Sequence, residues 1–356
     1  MELILPDWAP NIHPLVIHFP IALLFLAVVV DLLALIFRTH RFTARLATVL
    51  FVTGAAALFM AWLSGRAAAD SVNVTGVANA VLTDHADWAT IALWYFGIYG
   101  LLRLGLWRLR FPLAIWVPMA VIGAGGLVLI VQASSLGGQL VFEQGVGVSK
   151  VGLLESELAA MEREILQLRG EGSAPVVEPN GSWAWTPDGF AGEAFEQSFE
   201  VIAGAATARA AYDSAGGVHF LALTPTESPV LAVIDRAIAS LEFAVDLDVS
   251  RFEGTVRIVH HVKDANRYDY AELADGMLRL GRSAENGEEV YDEQPFIPAG
   301  VSEIRVVSDR THFRVYAHGA LVAHGHGSEA APGPIGIWLS GMGTVLAGEM
   351  RAVSLR

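Results

Sequence analysis

HPLVIHFPIALLFLAVVVDLLALIF, residues 13–37, is the stretch whose reading decides the fold. Two histidines open it. From residue 14 to residue 37 it is apolar enough, and at about 1.5 Å per residue long enough, to cross a hydrocarbon layer of roughly 30 Å. RTHR at 38–41 closes it. No basic residue precedes the run and no small-residue cleavage site precedes RTHR, so it reads as a retained helix rather than a leader. Three more apolar runs follow, at 46–64, 88–106 and 111–136. One such run is compatible with the core helix of a soluble domain, whereas four in succession predict a transmembrane bundle. Gly54, Ala55, Ala56, Ala57 and the GAGG of 123–126 are the small residues that let membrane helices approach closely.

Loop charge predicts the direction of crossing. Arg38, His40, Arg41 and Arg45 follow the first run, and Arg108 and Arg110 separate the third from the fourth, with Arg103 nearby. The other side carries Arg66, Asp70, Asp84, Asp87 and Glu143. The positive-inside rule puts the arginine side in the cytoplasm. With four spans, the N-terminus and everything after residue 137 then lie outside, which for a bacterial inner-membrane protein means the periplasm.

The chain is divided in composition as well. Its 356 residues are 53% hydrophobic with a formal net charge of −14. Residues 1–150 hold eight Lys/Arg and seven Asp/Glu, whereas residues 171–356 hold thirteen and twenty-six. The expected domains are a four-helix transmembrane domain (1–150), a bridge helix with its linker (151–180), and a third domain (181–356). The acidic rear has no basic stripe to neutralise phosphates, which argues against nucleic acid. Zero cysteines exclude disulfides, thiolate nucleophiles, thiolate-held metal and covalently attached haem.

His13, His18 and His85 all fall at the outer ends of the expected spans. His13 and His18 are five residues apart, so a regular helix points them about 140° apart and they make a poor joint chelate. Pro14 suits a helix start, and Pro20 disturbs the bonding back to Val16. Two readings stand. In one, His18 and His85 are the axial ligands of a haem b held in the bundle, with His13 a nearby polar contact and Asp84 or Asp87 orienting a ring. In the other, the histidines are hydrogen-bonding anchors of helix ends.

HPLVIHFPIALL (13–24), DHADWA (84–89) and GGQLVFEQGVGV (137–148) together resemble the DUF2231 membrane family over about residues 8–150. Its pattern falls on His13, His18, His85, Gly137, Gly138, Gly145 and Gly147. The resemblance implies a four-span membrane domain with a redox or haem association.

In VGLLESELAAMEREILQLRG, 151–170, residues Leu154, Leu158, Met161, Ile165 and Leu168 form one apolar helical face. EGSAPVVEPNGS then reads as a linker. From about residue 181 the period becomes that of strands: FEVIAGAATARAAYD, LEFAVDLDV, GTVRIVHHV, YDYAEL, MLRLGRS, SEIRVVSDRTHFRVYAHGALVAHG, GPIGIWLS and LAGEMRAVSL. Asp309-Arg310 and His318-Gly319 read as hairpin turns. The order of these segments resembles a concanavalin A-like or laminin-G-like jelly roll, which implies an all-β sandwich able to serve sugar binding, protein binding or glycoside hydrolysis.

No compact catalytic carboxylate pair stands out. Glu272, Asp275, Glu288, Glu289, Asp292 and Glu293 read as a solvated acidic face. His260 and His261, adjacent on a strand, should point to opposite faces. His324 and His326 should share one face and, with His312 or His318, are candidates for a metal, although strand-surface decoration is the simpler reading. At least two of Trp183, Trp185 and Trp338 should be core. Calcium suits the fold class, but no D-x-D-x-D loop is present.

The leading functional expectation is a non-enzymatic, membrane-anchored accessory subunit of a larger respiratory, photosynthetic or envelope complex, presenting its sandwich to partner subunits. The alternatives are a haem-b electron-transfer protein using His18 and His85, and a membrane-anchored carbohydrate-binding protein or hydrolase.

Overall fold

The computed structural model describes residues 11–37, 40–109, 115–148, 154, 158, 161, 174–213 and 218–356. It separates into two compact units. Unit 1 comprises Met1–Val72 and Val81–Val148, and unit 2 comprises Asn73–Ala80 and Ser149–Arg356.

Unit 1 is helical: α1 (His13–Val16), α2 (His18–Phe37), α3 (His40–Ser71), α4 (Ala78–Arg108) and α5 (Trp116–Phe142). Four stretches, His13–Ile36, Thr43–Ser71, Ala78–Arg108 and Trp116–Phe142, are long and apolar enough to span a membrane. The protein is therefore a multi-pass membrane protein with a four-helix bundle. The break between α1 and α2 falls at Ile17, where Pro20 has no N–H to offer the Val16 carbonyl. Leu24, Ala27, Phe51, Ala92, Phe96 and Tyr99 form the buried centre. Phe19, Ile36, Trp94, Leu101, Val121 and Val128 are exposed, as lipid-facing residues must be.

The small residues act as expected. A Cβ at Gly54 would lie 2.8 Å from the Leu24 side chain, and one at Gly126 would lie 2.3 Å from the Tyr95 ring. These contacts hold the helices closer than alanine allows.

Arg103 departs from its expected place among the loop charges. It is fully buried, with its guanidinium on the Asp31 carboxylate, the Tyr99 hydroxyl and Thr48 Oγ1, and over the Phe51 and Trp116 rings. A lone charge is costly in hydrocarbon, so each of the pair requires the other.

Unit 2 is built on a twelve-stranded sheet: β1 (Val176–Val177), β2 (Trp183–Trp185), β3 (Glu200–Asp213), β4 (Val218–Ile238), β5 (Leu241–Asp264), β6 (Arg267–Ala274), β7 (Met277–Ala284), β8 (Gly287–Pro295), β9 (Ser302–Asp309), β10 (His312–Ala317), β11 (Ala320–His326) and β12 (Gly333–Ser354), and the helix α6 (Ala191–Ser198) packs on it. All pairings are antiparallel. The architecture is sandwich-like because the long strands serve two layers. The first half of β5 pairs with β9, its second half with β6, and β12 runs beside both halves.

Segments expected as separate short strands are thus joined through bends. Glycine permits the bends: a Cβ at Gly254 would lie 2.2 Å from the Ser340 carbonyl, and one at Gly341 would lie 2.2 Å from that of Glu253. The strand β4 was not among those expected. Both expected hairpin turns are present, with Arg310 and His318 in the left-handed region.

Alternation puts Phe243, Val245, Ile258, Leu273, Leu278, Ile304, Val306, Phe313 and Ile337 into one core, with Phe195 of α6 and with Trp183 and Trp185, both 2% exposed. The core expectation for two tryptophans is met.

Asn73–Ala80, placed by the sequence division in the membrane domain, packs into unit 2. Arg305 Nη1 donates to Glu242 Oε2 (2.9 Å) and to the Val74 carbonyl (2.6 Å), and Arg305 also bonds Asn73. The same Glu242 oxygen accepts from Gly76 N and Asn79 Nδ2, each at 2.9 Å. Of the bridge helix, Leu154, Leu158 and Met161 are helical and exposed; Ile165, Leu168 and the linker before residue 174 lie outside the described residues.

Candidate functional site

The histidines at the helix ends are arranged differently from either pairing considered in the sequence. His13 Nδ1 is 3.0 Å from Ser64 Oγ, whose own proton goes to the Ala61 carbonyl, so the imidazole donates. His85 Nδ1 is 2.9 Å from the Ala133 carbonyl and must donate there too. Each ring seats against a glycine, His13 on Gly65 and His85 on Gly137. These bonds tie α1 to α3 and α4 to α5, as the anchoring reading expects.

His18 is exposed and has no hydrogen bond or ring contact among the described residues. α2 begins afresh at His18, whose ring is exposed, whereas His85 is half-buried. Sequence reasoning also missed Asp31. One acidic residue in an apolar run announced a partner, but not that the partner was Arg103, 72 positions away.

On unit 2 two features stand out. The first is a row of register partners crossing five strands on the sheet face opposite the core: Trp338 (β12), Arg257 (β5), Glu272 (β6), Arg279 (β7) and Glu293 (β8). Arg257 lies over the Trp338 and Tyr270 rings at 4.8 and 4.3 Å and bonds Glu272 (2.7 Å) and Tyr268 (3.0 Å). It also reaches Glu288. Arg279 bridges Glu272 and Glu293 at 2.8 and 2.9 Å. Burial opposes the Arg257 charge, but the bond and field of Glu272 raise its pKa further. Burial likewise raises the Tyr270 phenol. The expected solvated acidic face is therefore wrong for Glu272, which is buried between two guanidiniums. Glu288 and Glu293 at the end of the row remain half exposed.

The second feature is a pair of histidine clusters. His261 has φ +52°, which breaks the strand alternation, so His260 and His261 meet instead of diverging, with Nδ1–Nδ1 2.9 Å. His261 also contacts Asp269 Oδ2 (3.1 Å) and the Ala239 carbonyl (3.0 Å), and Arg282 closes on Asp269. All of His260, His261 and Asp269 are buried. Burial first, then the neighbouring His261, holds His260 down at about 3. Asp269 is held at about 2, because its bonds from His261 and Arg282 outweigh its own burial.

The other cluster is His312 on β10 with His324 and His326 on β11. His312 pairs with His326 across the ladder, and His324 lies two residues along on the same face. Ring centroids are 4.5, 5.0 and 6.1 Å apart. His312 is buried, His324 half-buried and His326 exposed.

Residues 9–150 match the family described as "Predicted membrane protein (DUF2231)". No curated protein matches the chain. Among solved structures, the sheet unit is similar to a carbohydrate-binding module, CBM66, from Bacillus subtilis, at 12% identity over 44% of this chain and 96% of that one, TM-score 0.34. It is also similar to a protein of unknown function with a galectin-like fold from Bacillus subtilis, at 10% identity over 46% and 91%, TM-score 0.35. A third is a Bacillus licheniformis β-glucanase, at 9% identity over 44% and 92%, TM-score 0.34. Scores this low assign neither a reaction nor a ligand to this chain.

Proposed function

We propose that the protein, a DUF2231 region of four membrane-length helices followed by a β-sheet unit, is a membrane-anchored carbohydrate-binding protein of the bacterial inner membrane, with the sheet unit in the periplasm. The observation that carries this reading is the Trp338–Arg257–Glu272–Arg279–Glu293 row. Sugar hydroxyls are both donors and acceptors, and the accessible end of the row, where Arg279 lies beside Glu293, offers both partners in fixed geometry. Trp338, half-buried at the other end with Arg257 over its ring, anchors the row to the sheet. Arg279, Glu288 and Glu293 supply the accessible end. The side assignment rests on Arg38, Arg41, Arg45, Arg108 and Arg110, with Arg103 removed from that count.

The test is a glycan array probed with the full-length protein in nanodiscs. Binding to one glycan class, weakened at least tenfold in Arg279→Met and Glu293→Gln, is the expected result. No binding across bacterial envelope polysaccharides overturns the proposal.

A second reading, an accessory subunit of a larger membrane complex, draws on Leu154, Leu158 and Met161, which expose apolar side chains at helical spacing. Co-purification of a stoichiometric membrane partner, lost in a Leu154→Glu/Leu158→Glu double variant, distinguishes it.

A further inference from the structure

We infer that His312, His324 and His326 form a binding site for one divalent transition-metal ion on the outer face of the β10–β11 hairpin. One ligand nitrogen from each ring lies within 4.8 Å of those of the other two. A tetrahedral ion bound at about 2.0–2.1 Å holds its ligand nitrogens roughly 3.4 Å apart. Small rotations of the rings span that difference, and no strand needs to move.

The scaffold under the rings is rigid. His324 and His326 share a face because only Gly325 separates them, and Gly325 faces the other way, against Tyr291. A Cβ there would lie 2.4 Å from Tyr291 Cβ, so β11 is pressed onto β8 at the point where the two histidines leave it. The His324 backbone N–H donates to Asp292 Oδ2 at 2.9 Å, fixing the strand in the same place. On the other side, Asp309 is the cross-strand partner of His312 and therefore lies on the same face. Its carboxylate is held by Arg356 at 2.9 Å. A carboxylate beside a ligand ring is the usual means of orienting a metal-binding imidazole.

The donor set defines the class of ion. Three imidazoles and no carboxylate suit zinc, cobalt, nickel or copper, and not calcium or magnesium, which take oxygen. Three protein ligands leave a fourth position, and His326 is on the exposed side, so that position opens to solvent. Such a site exchanges a water or an anionic ligand, unlike a closed four-ligand structural site. The buried His260–His261–Asp269 group is the contrasting case: Arg282 already holds its carboxylate, and it has no exposed member.

The experiment uses the full-length protein in detergent, purified without a histidine tag and stripped of metal, titrated with Co²⁺ and then Zn²⁺. One Co²⁺ per chain with the visible absorption of a four-coordinate ion, displaced by Zn²⁺, is expected. In His326→Gln and His324→Gln the affinity should fall at least a hundredfold, while circular dichroism shows the sheet intact. The inference is overturned by a wild-type protein with no saturable site. It is equally overturned if both variants bind as wild type does, or if binding is lost instead in His261→Gln or in a His13→Gln/His85→Gln variant.

Discussion

His260, His261 and Asp269 belong to the same twelve-stranded sheet as His312, His324 and His326, and each group brings three ligand-bearing side chains within 4.8 Å. Their surroundings set them apart. Asp269 receives a guanidinium and an imidazole and is sealed from water, so the first group is an internal hydrogen-bond chain with its charges already neutralised. The second is all imidazole, with one ring exposed to solvent. The contrast teaches that residue type and proximity do not define a site: what decides is whether the charges are already satisfied, and whether one side is open.

The largest effect should come from breaking the closed group. Asp269→Ala leaves His261 buried, and Arg282 half-buried, without their common acceptor and should cost the sheet unit about 3 kcal/mol in denaturant unfolding. A loss below about 1 kcal/mol would show that the group is not structural.

Acid should dissolve the same group by protonation. His260 has a folded pKa of about 3, below its ordinary 6.5, so the stability it contributes is complete above pH 6.5 and is lost as pH falls towards 3. Asp269, lowered from 3.8 to about 2, adds a further loss of about 2 kcal/mol between roughly pH 4 and pH 2. His260→Gln should flatten the upper part of that curve, measured as the melting temperature of the sheet unit against pH. An unchanged slope between pH 6.5 and 4 would remove His260 from the account.

Gly325→Ala sharpens the comparison from the other side. The added methyl meets Tyr291, so β11 must shift, at a cost of about 1–2 kcal/mol, and the metal affinity should drop with it. Retained affinity would mean that the backbone under the rings is not what positions them. The smallest effect on stability belongs to His326→Gln, an exposed position, within about 0.5 kcal/mol in the absence of metal. Zinc should raise the melting temperature of the wild type and not that of this variant, since only the wild type gains binding energy in the folded state. Equal zinc shifts in both would break the distinction between the clusters.

Features carried by a local pattern were legible. The four spans follow from apolar runs, the close helix contacts from Gly54 and the GAGG of 123–126, and the β9–β10–β11 meander from Asp309-Arg310 and His318-Gly319. The sharing of one face by His324 and His326 follows from a period of two. Features carried by long-range contact were not. Asp31 and Arg103 are single charges in separate apolar runs. The row from Trp338 to Glu293 exists only once five strands are in register. His260 and His261 defeated the alternation rule because His261 takes a left-handed backbone, which no neighbouring residue announces.

Hydrophobic periodicity and loop charge, both properties of consecutive residues, by themselves determined that this chain is a membrane bundle followed by a sheet. Tertiary structure alone decided that the Asn73–Ala80 connection belongs to the sheet unit, that His13 bonds Ser64 and His85 the Ala133 carbonyl while His18 stays exposed, and that one histidine cluster is closed while the other is open. Each of these depends on burial and on the position of an opposite charge, and in a folded chain those are set by residues far apart in sequence.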